Sequence, residues 1–138
     1  MTRTYRQIAT LLAAWCPHHG EEPMISANLG SGTVFLANCN LACAFCQNHD
    51  VSRRPEIWRE ASAPELASFF LSLAAREVEN LNLVTPSHIV PELLTALDLA
   101  VEAGLRIPIV YNSSGYDSVT TLELLEGVVS IYMPDLKY

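Results

Sequence analysis

Apolar positions recur along this chain in two alternating rhythms. Ile8, Leu11, Leu12 and Trp15 fall at helical spacing and predict a helix over residues 1–18, closed by Pro17. Residues 19–32, with their glycines, Pro23 and Asn28, predict a loop. A short apolar strand is expected at Thr33–Ala37. Ser62 and Glu65 then form a capping box with Pro64 in the first turn, and Leu66, Phe69, Phe70 and Leu73 give one apolar helical face. Asn80–Val84 predicts a second strand, ending at Thr85-Pro86. Pro91 opens a helix bearing Leu93, Leu94, Leu97 and Val101, with Gly104 at the C-cap. Ile107–Tyr111 predicts a third strand. After it, Asp117 or Ser118 caps a helix running to Glu126 and stopped by Gly127. Val128–Met133 is the fourth strand.

Strands that alternate with amphipathic helices over short connections indicate βαβ units and a parallel sheet. The expected fold is α/β, with about four parallel strands and crossover helices. Residues 1–31 form a helix-and-loop lead and 32–138 the core. No internal repeat or low-complexity segment interrupts the series. Polar and special residues collect after each strand: the cysteines, then Thr85–His88, then Asn112–Gly115, then Pro134–Lys137. Carboxyl ends of parallel strands are where α/β folds place their sites.

Composition narrows the partners. The 138 residues carry 15 acidic and 8 basic side chains, for a net charge of −7. So few cations give no face for a phosphate backbone, and a nucleic-acid partner is not expected. A chain of this length buries roughly 68% of its unfolded surface, enough for a core. No apolar run approaches ~18 residues, so no membrane span is expected. The first sixteen residues lack a small-residue cleavage site, so the expectation is a cytoplasmic protein without a secretory signal.

Three of the four cysteines fall within eight residues, Cys39, Cys43 and Cys46, and Cys16 stands apart. Disulfide frameworks belong to secreted chains with poor cores, whereas clustered cysteines in a reduced compartment read as metal ligands. Thiolates are the soft ligands of iron–sulfur clusters, and a cubane takes four ligands. Three protein thiolates leave one iron open to an exogenous chelator.

The segment from Cys39 to Asn48, CNLACAFCQN within the printed sequence, resembles the CxxxCxxC signature of the radical S-adenosylmethionine (SAM) superfamily, with aromatic Phe45 just before the last cysteine. Stretches over roughly residues 19–138 are similar to proteins like the pyruvate formate-lyase activating enzymes. The resemblance implies a (β/α) barrel, here incomplete, and a 4Fe–4S cluster on Cys39, Cys43 and Cys46. It implies SAM chelating the fourth iron and reductive cleavage of SAM to a 5′-deoxyadenosyl radical that abstracts hydrogen. A glycine of a partner enzyme is the target suggested by that likeness. A reduced flavodoxin- or ferredoxin-type protein is the implied electron donor.

Position by position, Phe45 matches the aromatic residue beside the adenine. Asp135 and Lys137 match an Asp-x-Lys motif, whose lysine pairs with the methionyl carboxylate. Ser113 keeps the hydroxyl of an Asp-Thr-Asn-Gly motif, with Asn112 replacing the acid. Where a Gly-Gly-Glu motif is usual, this chain has Thr85-Pro86-Ser87-His88. The methionyl amine is then left to Thr85, Ser87 or His88, among which the residues do not choose.

Each feature also has a plainer reading. Cys39, Cys43, Cys46 and His49 make a possible Cys3His zinc site. Cys16 reads as a packed thiol, and His18, His19 and His49 as solvated. Asn112, Ser113 and Ser114 suit a turn, Asp135 and Lys137 an exposed pair, and Glu21-Glu22 a solvated loop. Trp15 and Trp58 have no assigned role. Barrels of the superfamily carry more strands than the four visible here, so an open apolar edge is expected. A second chain completing the barrel, a non-enzymatic iron–sulfur or zinc module, and an inactive fragment of a longer enzyme are the alternatives.

Overall fold

A computed structural model describes residues 10–136. The described residues form six strands: β1 (Thr10–His18), β2 (Ser31–Leu36), β3 (Arg59–Ala61), β4 (Leu81–Val84), β5 (Ile109–Ser113) and β6 (Ile131–Pro134). Between them lie α1 (Pro23–Ser26), α2 (His49–Arg53), α3 (Ala63–Ala74), α4 (Val90–Glu102) and α5 (Val119–Leu125). The strands make one sheet in the order β3-β1-β2-β4-β5-β6. β2, β4, β5 and β6 are mutually parallel, and β1 runs antiparallel to both β2 and β3. The class is α/β, as expected, but the sheet is mixed, six-stranded and not closed.

The expected N-terminal helix is a strand over its described part; residues 1–9 lie outside the described residues. A register shift between Leu12 and Ala14 gives this strand its helix-like spacing. An extra residue there breaks the two-residue alternation. Leu12 and Trp15, three apart, therefore both meet the core cluster and imitate helical spacing. β3 has no signature in the sequence, since three residues with two exposed leave no alternation to read. The lead is tied into the sheet too: the Asn80 amide donates to the Ile25 carbonyl at 2.7 Å.

α3, α4 and α5 match their sequence signals. α1, one turn opened by Pro23, lies in the stretch expected to be a loop, and α2 is too short to show an apolar period. In α3 the Glu65 carboxylate accepts from the Ser62 N–H at 2.9 Å and from its hydroxyl at 2.7 Å, closing the capping box. Ser118, rather than Asp117, caps α5, accepting from the Thr121 N–H at 3.1 Å. Leu66, Phe70 and Leu73 of α3 and Leu93, Ala96 and Leu97 of α4 join Val34, Leu36, Leu81 and Leu83 of the sheet in the principal core. A smaller cluster sets Leu125 at the end of α5 against Val90 and Tyr111. Because side chains alternate along a strand, α3 and α4 cover one face and Thr33, Phe35, Asn82, Val84, Val110 and Asn112 project from the other. β6, at one edge of the sheet, exposes Ile131 and Tyr132, as the open-edge expectation has it.

Candidate functional site: a thiol-lined cavity at the sheet

A cavity of about 590 Å³ lies on this second face. Phe35, Val84, Asn112 and Met133 come to it from the four parallel strands. The cysteine loop after β2 contributes Cys39, Cys43 and Cys46. Ser113, Ser114 and Asp135 come from the carboxyl ends of β5 and β6, and His18, Glu21 and Glu22 from the lead. The expectation that the loops after the parallel strands share one site thus holds for residues from all four. All three loop cysteines, like Cys16, are half-buried free thiols. Among the described residues, no group of three or more His, Cys, Asp or Glu side chains is gathered closely enough to hold a metal ion.

Local backbone geometry serves this loop. Asn38 and Ala42 adopt left-handed conformations (φ 60° and 56°), which reverse the chain tightly on either side of Cys39. His88 supports the loop from below. Its Nε2 lies 2.8 Å from the Ala37 carbonyl, and because a carbonyl only accepts, Nε2 carries the proton. Nδ1 is buried and has no hydrogen-bond partner among the described residues. The ring is not among the groups lining the cavity, so the structure gives His88 a place under the cysteine loop. Phe45 also stands outside the lining and is 63% exposed.

Thr85, at the carboxyl end of β4, also has a left-handed backbone (φ 58°). A β-branched residue there is strained, and such strain collects at sites where the surrounding structure holds it in place. Here the Thr85 N–H donates to the Asn112 carbonyl at 2.8 Å. Gly115 is required for a different reason. A Cβ added to it would stand 2.7 Å from the Asp135 carbonyl oxygen, so only glycine lets these two loops touch. The Asp135 N–H in turn donates to the Ser113 carbonyl at 2.9 Å.

Asp117, a candidate helix cap by sequence, instead stands against Ser87, Ser113 and Tyr111. Burial would raise its carboxyl pKa, but the hydroxyls of Ser87, Ser113 and Tyr111 outweigh that and hold it below the ordinary carboxylate range. Tyr111 donates to it at 2.8 Å. Burial is the main cause that keeps the Tyr111 phenol protonated well above its usual range. This network fixes the loop that carries Ser113.

Several residues differ from their plain readings. Asn112 and Ser113 belong to β5 rather than to a turn. His18 ends β1 with its ring edge-on to Phe35, at 6.3 Å between centroids, and lines the cavity. His49 is 70% exposed and outside the lining, which does not bring it to the thiols. Trp58, without a role in the sequence, donates from its indole N–H to the Val51 carbonyl at 2.8 Å and anchors α2 beside the cavity. Trp15 stacks on Phe69 at 4.2 Å. Cys16 faces Thr33 in the sheet register. Lys137 lies outside the described residues. The lead's part in the cavity had no signal in the sequence, because a predicted helix and loop carry no pairing information.

Fold and cavity define an α/β protein with a mostly parallel open sheet and a thiol-bearing pocket. No protein-family model matches the chain, and no solved structure matches it. An uncharacterized protein of Methanocaldococcus jannaschii is 30% identical over 129 residues, which cover 88% of this chain and 36% of that relative. The chain thus spans about a third of the length of the relative it matches. Among the described residues, no helix is long and apolar enough to cross a membrane.

Proposed function

We propose that this chain is part of a radical SAM protein similar to the pyruvate formate-lyase activating enzymes, acting in the cytoplasm, with Cys39, Cys43 and Cys46 as ligands of a 4Fe–4S cluster. The observation that carries the reading is that three free thiols from one loop line the same cavity as Ser113 and Asp135. The donor set suits the group: three soft sulfurs, half-buried, with room beside them for a small molecule. Held by Cys39, Cys43 and Cys46, such a cluster would supply the one electron needed for reductive cleavage of SAM to methionine and a 5′-deoxyadenosyl radical able to abstract hydrogen from substrate.

The chain's own residues bind and orient. Glu21, Glu22 and Asp135 put three carboxylates on the cavity wall, and no Lys or Arg is among its described lining residues. That balance favours a ligand carrying cationic groups, as the ammonium and sulfonium of SAM do. Ser113 Oγ accepts from the Gly115 N–H at 3.1 Å, which fixes the hydroxyl at the cavity edge. Lys137 follows Asp135 and is assigned to the methionyl carboxylate; Phe45 is assigned to the adenine by the same resemblance. His88 holds the cysteine loop through Ala37. In this reading the cavity side of the sheet faces the interior of a (β/α) barrel that a second chain completes. A flavodoxin- or ferredoxin-type protein provides the electron, and a glycine of a partner protein is the target in this reading.

Anaerobic reconstitution with ferrous iron and sulfide tests the ligand set. The expected result is about four irons per chain, with loss of cluster absorbance in Cys39→Ala, Cys43→Ala and Cys46→Ala, and none in Cys16→Ala. Zinc retained by the same three cysteines, with no iron bound, would sink the proposal.

A further inference from the structure

The Ser52 side chain reaches a loop cysteine from outside the loop. Its Oγ lies 3.6 Å from Cys46 Sγ and 3.4 Å from the His49 carbonyl. The residue is only 5% exposed. It stands on α2, whose place is fixed by the Trp58 indole on Val51 and by the Ser52 N–H on the Asn48 carbonyl at 3.0 Å. A buried hydroxyl has one proton and two acceptors within reach here. Against a neutral Cys46 thiol, the S–H donates to Ser52 Oγ and the hydroxyl donates to the His49 carbonyl. A Cys46 sulfur that has lost its proton to a metal can only accept, and the hydroxyl then turns to it. No atom leaves either residue; only the direction of one O–H bond changes.

We infer that Ser52 is a positioning residue that donates a hydrogen bond to the metal-bound sulfur of Cys46 and raises the reduction potential of the group held there. The inference rests on the cluster reading above. Hydrogen bonds to the sulfurs are among the levers that set iron–sulfur potentials, and the partners behind the ligands tune a site as the ligands do. A donor stabilises the state with more negative charge on sulfur, which is the state that has accepted one electron. Removing it makes that electron harder to add.

The test is a dithionite titration of the reconstituted protein, followed by electron paramagnetic resonance, on wild type, Ser52→Ala and Ser52→Thr. Iron content is measured on each sample first. At the wild-type midpoint the reduced-to-oxidised ratio is expected to fall about fivefold in Ser52→Ala, equivalent to ~1 kcal/mol or roughly 40 mV for one electron. Ser52→Thr, which keeps the hydroxyl, restores the wild-type ratio. Equal iron content with an unchanged or raised midpoint in Ser52→Ala overturns the role of Ser52 and leaves the cluster reading standing. A lowered midpoint that Ser52→Thr fails to restore also overturns it, because the effect would then come from packing. Absence of iron from the wild-type protein overturns the cluster reading and this inference together.

Discussion

Under α3 and α4 the sheet presents Val34, Leu36, Leu81 and Leu83, each 1% exposed or less and packed into a continuous apolar core. Its opposite face presents Thr33 and Asn82, equally buried, whose Oγ1, Oδ1 and Nδ2 atoms have no hydrogen-bond partner among the described residues. The first face follows the rule for a stable interior. The second departs from it, since an unpaired buried polar group costs free energy. The backbone departs in the same region: Asn38, Ala42 and Thr85, at the upper end of this face, adopt left-handed conformations. One face holds the molecule together, and the other carries buried polar groups left unpaired among the described residues, with strained backbone at its end. Departures of this kind are expected at functional sites.

Substitutions on the two faces should therefore differ in size and in sign. Leu83→Ala empties a fully buried position between sheet and helices, and urea denaturation should show a loss of about 3–4 kcal/mol. Asn82→Leu, nearly isosteric at an equally buried position, should instead raise stability by about 1–2 kcal/mol. A destabilising Asn82→Leu would mean that the amide is satisfied in solution and that the contrast between the faces is false.

Tyr111→Phe joins the two regions, because its ring lies on the core side and its hydroxyl reaches Asp117. Loss of that hydrogen bond should cost about 1 kcal/mol at neutral pH. The pH dependence has a definite sign. The folded Asp117 pKa lies below its ordinary value of 3.8, so its stabilisation is fully present above that value. It is lost as pH falls through the lowered folded pKa. Urea midpoints of wild type and Tyr111→Phe should accordingly draw together below pH 3.8. The smallest effect is expected at Thr85→Gly, where relief of the left-handed strain against the added chain entropy should gain about 0.5 kcal/mol in thermal unfolding.

Much of the helix-covered half was legible in the residues. The capping box at Ser62 and Glu65 and the apolar stripes of α3 and α4 are local signals, and local signals survive in the fold. The carboxyl-end placement of Cys39, Ser113 and Asp135 was legible as well, because it follows from strand order alone. β1 was not, since the irregularity at Leu12 gave a strand the spacing of a helix. β3 is too short to show a period, and its pairing with β1 is set by tertiary contact. His18 and Glu21 reached the cavity only because β1 folds back along β2. Asp117 gained its depressed pKa from Ser87, Ser113 and Tyr111, a cluster that no single stretch of sequence displays.

The central claim is that three thiolates from the loop after β2 hold a cluster with one position open to SAM. Electron paramagnetic resonance of the dithionite-reduced, reconstituted protein, recorded with and without SAM, tests it most directly. The account predicts a reduced-cluster signal whose shape changes on adding SAM and which is lost in Cys43→Ala. A signal that SAM leaves unchanged would contradict it.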